Sequence, residues 1–124
     1  MYKHSVSDLP AIDGAKIQNA IIEYADLMIE DHGFLSSFIG VVFDGSGQGF
    51  GGYALYSPAG YKSHEVKSFA GHFFYRCMEI AGVTNWKDMK GKAIRIYGTW
   101  SKIEAIGHIV NDDWFIPSID FKRE

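Results

Sequence analysis

Between Ala15 and Asp44 the chain carries two apolar stretches, AKIQNAIIEYADLMI and FLSSFIGVVF, parted by only four residues, Glu30-Asp31-His32-Gly33. A link this short and turn-like constrains the fold more than any other feature. The first stretch is ambiguous by itself, because Ile17, Ala20, Ile21, Tyr24, Leu27 and Met28 recur at helical spacing. The second stretch is β-rich, and a turn that feeds directly into such a segment favours a hairpin. The expectation is therefore a long strand, with room for a bulge, returning through the 30–33 turn.

The rest of the chain is read around that hairpin. Its 124 residues suit one compact domain. Residues 1–14 are polar and carry Pro10 and Gly14, which reads as a loose N-terminal arm, and residues 15–124 as a single α+β ligand-binding domain. GSGQGFGG, at 45–52, is the most glycine-dense segment and precedes YALY, a strand pattern ended by Pro58. Phe69, Phe73, Cys77 and Ile80 make an apolar helical stripe, with His72, Arg76 and Glu79 on the other side. Gly82 stands where a left-handed residue would end that helix. TNWKDMKGK reads as a turn-like link, AIRIY and KIEAIGHIV as two strands joined near residues 98–101, and NDDWFIPSIDF as an aromatic tail. The order β-β-β-α-β-β predicts the α+β class: a curved antiparallel β-sheet with one main α-helix packed against it.

Composition excludes several functions. Twelve Lys and Arg against fifteen Asp and Glu give a formal charge of −3, without the basic footprint of a long nucleic-acid partner. Cys77 is the one cysteine, which excludes an intramolecular disulfide and a multi-thiolate metal site and suits a reducing cytosol. No apolar run approaches the ~18 residues of a membrane-spanning helix, and the N-terminus lacks a signal-peptide pattern. The expectation is a soluble cytoplasmic protein. Nine Phe, seven Tyr and three Trp exceed what a small core hides, which points to a flat binding face or an oligomer interface.

No familiar catalytic template is present: HExxH, GxSxG and a Walker lysine loop are all missing from the sequence. Gly47-Gln48-Gly49-Phe50-Gly51-Gly52 formally matches GxGxxG, but a strand pattern rather than a helix follows it. A flexible or bulged edge that admits another backbone is the better reading. Histidines 4, 32, 64, 72 and 108 are too scattered for a metal site. Glu30-Asp31-His32 and Asp112-Asp113 could each supply acid–base chemistry, although Asp is equally common in plain turns. Cys77, on the apolar stripe, reads as a core residue rather than a nucleophile. Basic and aromatic residues together are more informative. Gly71 marks the early helix, where free N–H groups favour anions. His72 and Arg76 follow on its polar face, Arg95 projects from a strand, and Lys62, Lys67 and Lys102 lie near loops. Tyr53, Phe69, Trp100 and Trp114 are rings that could stack a purine. This set suits a small phosphorylated ligand better than a long polyanion. The plainer alternative pairs Arg76 with a carboxylate and puts the tryptophans in the core.

The segments IEDHG (29–33), GQGFGGY (47–53), GHFFYRCMEIAGVTNWKDMKGKAIRI (71–96) and IEAIGHIVNDDWF (103–115) span most of the chain. In this arrangement the sequence is similar to the phage-encoded Thoeris anti-defence proteins of the first described type. That resemblance implies a sponge that binds the cyclic ADP-ribose isomer made by bacterial TIR-domain enzymes and withholds it from the effector. It also implies a β-sheet with a flanking helix, dimers assembled into hexamers, and in some members cyclic oligonucleotides of the CBASS type. A sponge has no turnover, so no catalytic residue, metal or cofactor is expected. The expected ligand set is Phe69, His72, Phe73, Arg76, Arg95 and Trp114, with Asp31, His32 and Gly33 as a second wall. In it the arginines would meet phosphates and the rings would stack the base, so that Arg76→Ala and Arg95→Ala would weaken binding without lowering the melting temperature. Three rivals remain: a hydrolase of the same signals using Asp31, His32 and Asp113; a protein-binding, anti-CRISPR-like inhibitor; and a single-stranded nucleic-acid binder, which the net charge disfavours.

Overall fold

In the computed structural model, which describes residues 3–58 and 67–122, the first apolar stretch is a strand. β1 (Lys16–Ile29) pairs antiparallel with β2 (Leu35–Phe43), and the register shifts at a bulge between Ile22 and Tyr24. The bulge accounts for the helix-like spacing. One extra residue resets the alternation, so Ala20 and Ile22 face the core before it and Ala25 after it. Ile17, Ile21 and Tyr24 then share the opposite face, each about four-tenths exposed.

β3 (Ser46–Gly51) folds back on β2 through Asp44 and Gly45, both at positive φ as a tight two-residue hairpin requires. The glycine-dense segment is thus a regular strand paired with β2 alone, and the close backbone approach expected of it occurs at Gly51, where a side chain would collide with the Ser37 carbonyl. Rings also lie on this part of the sheet. Phe38 covers Gly49 and Gly52, and Tyr24 fills the space that a side chain at Gly40 would need. YALY is mostly irregular; only β4 (Tyr56–Ser57) is strand, pairing with Leu35 of β2 and with β5 (Lys67–Ser68).

α1 (Ala70–Ala81) follows, and Gly82, at φ +73, closes it through its N–H to the Glu79 and Met78 carbonyls. The predicted stripe is real: Phe73, Cys77 and Ile80 are buried against Ile39, Phe50, Ile94 and Ile103. Phe69 is the residue just before the helix rather than part of it. β6 (Ala93–Thr99) and β7 (Lys102–His108) form a third hairpin; β8 (Trp114–Phe115) and α2 (Pro117–Asp120) follow. The sheet order is β5-β4-β2-β1-β6-β7-β8, with β3 also beside β2. The fold is α+β, an open curved antiparallel sheet with one main helix.

The N-terminal arm is not loose. His4 and Trp114 exchange backbone hydrogen bonds, the Val6 N–H donates to Asp112 and the Tyr97 hydroxyl donates to the Pro10 carbonyl. Leu9 packs with Tyr97 on a second small core of Ala105, Trp114 and Ile116. Polar composition hid this docking because its partners are far along the chain, 87 residues away for Tyr97 and 106 for Asp112. Among the described residues no helix is long and apolar enough to cross a membrane.

Candidate functional site

Most chemistry-bearing residues gather where the first turn of α1 meets the C-terminal tail. Pro117 starts α2, whose single turn delivers Asp120 and places Phe121 beyond it. The Asp120 carboxylate, only 6% exposed, accepts from His72 Nε2 at 2.6 Å and from His4 Nε2 at 2.7 Å. Both imidazoles therefore carry a proton on Nε2. Phe121 stacks on Phe69 with centroids 4.6 Å apart, and Phe115, Phe73, Phe50 and Tyr53 continue the ring cluster. Burial, then Glu104 and Cys77, push the Tyr53 hydroxyl up to about 12. Asp120 and Phe121 have no motif in the sequence; Pro117 followed by an acid three residues on is the one signal that marks them.

Arg76 lies one turn from His72, as expected, but it is not a surface cation. Its side chain is fully buried: Nη1 donates to Glu79 at 2.9 Å, and Nη2 donates to Asp113 at 2.6 Å and to the Trp114 carbonyl at 3.0 Å. Burial alone would lower the Arg76 pKa, but its hydrogen bonds and charge contacts with Asp113 and Glu79 outweigh that and raise it. The expectation that Arg76→Ala would spare stability is therefore corrected, since it removes one partner of a buried ionic tie. This is the plainer reading of Arg76, a carboxylate-paired residue.

Arg95 and Trp114 form a separate group on the face that the arm covers. The guanidinium lies 5.1 Å from the buried Trp114 ring, while Arg95 Nε donates to the His108 carbonyl and Nη2 to Asn111, both at 2.7 Å. Arg95 thus clamps the turn between β7 and β8, and Trp114 is a core ring with its indole N–H buried and unbonded among the described residues. Asp31, His32 and Gly33 form the β1–β2 turn, with Gly33 at φ +83 and the His32 N–H donating to Glu30 at 2.9 Å. Among the described residues no hydrogen bond or ion pair joins that turn to the α1 cluster. The nine expected residues thus fall in three places: Phe69, His72, Phe73 and Arg76 together, Arg95 with Trp114, and the turn alone.

The α1 cluster reaches solvent at a depression of about 540 Å³ lined by Gly71, His72, Tyr75 and Arg76. Comparison with protein-family models, curated proteins and solved structures finds no match. Its functional reading therefore rests on chemistry. Tyr75 is 59% exposed, and a side chain at Gly71 would meet none of the described residues. Desolvation pushes the buried Cys77 thiol well up, only partly offset by Arg76, and keeps it protonated. Asp113, a candidate acid in the hydrolase reading, is held by Arg76 and lies 4.0 Å from Lys3. Lys62 and His64 lie outside the described residues, and Lys102 sits 3.8 Å from Glu104.

Proposed function

We propose that the chain binds and sequesters a cyclic nucleotide immune signal without degrading it. The signal would be a cyclic ADP-ribose isomer, with cyclic di- or trinucleotides as further ligands. The protein would act as a homo-oligomer in the cytosol of an infected bacterium and so block Thoeris, and also CBASS, effectors. The observation that carries this reading is the depression at the start of α1. There an exposed phenol ring, an imidazole oriented by a buried carboxylate and a glycine converge at a helix N-terminus. A ring to stack a base beside donors for an anion is the chemistry a nucleotide asks for. The resemblance to the Thoeris anti-defence proteins supports the ligand class, and the exposed β1–β2 face supports oligomerisation.

The test mixes the purified protein with TIR-produced cyclic ADP-ribose isomers and cyclic di- and trinucleotides, removes the protein by filtration, then heats it. Ligand withdrawn from the filtrate and returned intact by heat supports sequestration. A new product peak would show a hydrolase instead. Ligand left untouched would turn attention to the second reading, an inhibitor docking on a host protein. That reading is favoured by Ile17, Ile21, Tyr24 and Phe38, exposed on one sheet face.

A further inference from the structure

Trp100 is the most exposed large apolar residue of the described chain, at 93%. It sits on the turn between β6 and β7, and that turn is held rigidly. Gln48 Nε2 reaches from β3 to donate to the Thr99 carbonyl at 3.1 Å and to the Trp100 carbonyl at 3.3 Å. Thr99 and Ser101 add a hydroxyl pair at 3.0 Å. An indole on a fixed frame, with almost none of its surface covered, is an unused stacking plane.

Beside it lies a groove of about 360 Å³ at the end of the curved sheet, lined by Gly14, Lys16, Gln18, Phe43, Gly47 and Trp100 among others. Its volume falls in the range of small-molecule sites. Lys16 is exposed and makes no ion pair among the described residues. Strand pairing supplies a further donor. Because the Gly52 N–H donates to the Ser37 carbonyl, the bonded pairs of the β2–β3 ladder are Ile39–Phe50, Val41–Gln48 and Phe43–Ser46. Gly47 falls between them, and its N–H turns to the free edge of β3. Gln18, on the groove wall, donates its amide to Asp44, which lies outside the lining, at 3.4 Å.

From this we infer that the Trp100 groove is a nucleotide site, separate from the depression at α1. The base stacks on Trp100, its phosphate meets Lys16 and the Gly47 N–H, and Gln18 faces the base's polar edge. It shares no lining residue with the α1 depression and does not depend on the sequestration reading.

The test is calorimetric titration with AMP and with ADP-ribose. The wild-type chain is compared with Trp100→Ala, Lys16→Ala and, as a control outside both the groove and the α1 depression, Val110→Ala at an exposed position. Trp100→Ala should weaken binding by roughly 5- to 150-fold, the worth of one base–aromatic stack, with an unchanged melting temperature because the indole touches nothing structural. Lys16→Ala should weaken binding and flatten its dependence on salt. Val110→Ala should leave this binding as it is. Wild-type protein that binds neither probe overturns the site, and so does binding that survives Trp100→Ala unchanged. The filtration experiment with cyclic signals reads the other proposal, so the two can fail separately.

Discussion

The two ends of the sequence's apolar content are used in opposite ways. Around α1 and the tail, rings, cations and carboxylates are turned inward: Phe73, Arg76 and Phe115 have no exposed surface, and Asp120 joins two histidines. On the β1–β2 hairpin, apolar side chains are turned outward, with Ile21 at 43%, Leu27 at 55% and Ile29 at 77% exposed. The backbone repeats the contrast. The Glu30 N–H bonds the Phe34 carbonyl, so even-numbered β1 residues beyond the bulge face β2 and Ala25, Leu27 and Ile29 face away. β6 pairs with β1 only as far as Ile21, and Trp86 caps the Ala25 carbonyl at 3.2 Å. Beyond that cap the strand has an apolar edge of the kind that pairs with another chain. Residue types therefore do not separate site from scaffold here; exposure and hydrogen bonding do.

That contrast can be broken most forcefully at Arg76. Arg76→Ala leaves the Asp113 and Glu79 carboxylates without their shared partner and should cost about 3–5 kcal/mol in denaturant unfolding. A midpoint close to wild type would show that the inward-turned half is not held by this tie. Asp120→Asn comes next. It removes the charge from both histidine bonds and should cost about 1–3 kcal/mol. It should also make the arm a site of limited proteolysis, and an arm that resists the protease equally in both proteins would count against the link. The smallest effect is expected on the open face, where Ile21→Ser should change stability by no more than about 0.5 kcal/mol. Sedimentation should nevertheless show a change in self-association; a large loss of stability with no such change would make that face part of the core.

Much of the fold was legible in the sequence because it depends on local signals. The 30–33 turn forced the hairpin, and the spacing of Phe73, Cys77 and Ile80 with Gly82 defined the helix. The glycine run was legible as an edge that admits a backbone, but its partners are non-local. Gly51 lies against the Ser37 carbonyl and Gly52 under the Phe38 ring, both carried by the neighbouring strand. The arm was misread because backbone pairing with β8 leaves no trace in composition. At the site, the helical phase correctly set His72 and Arg76 together, but it could not tell a solvated cation from a buried one. That distinction depends on Asp113 and Trp114, which lie 37 and 38 residues further along the chain.

The Asp120 link has a consequence for folding. His4 and Asp120 stand 116 residues apart, and His4 also pairs with the distant Trp114. The hairpin of β1 and β2 can form early from contacts near in sequence, but the arm has nothing to dock on until β8 and α2 are in place. Closure of the arm is therefore a late event in folding, and its contacts act more on the rate of unfolding than on the rate of folding.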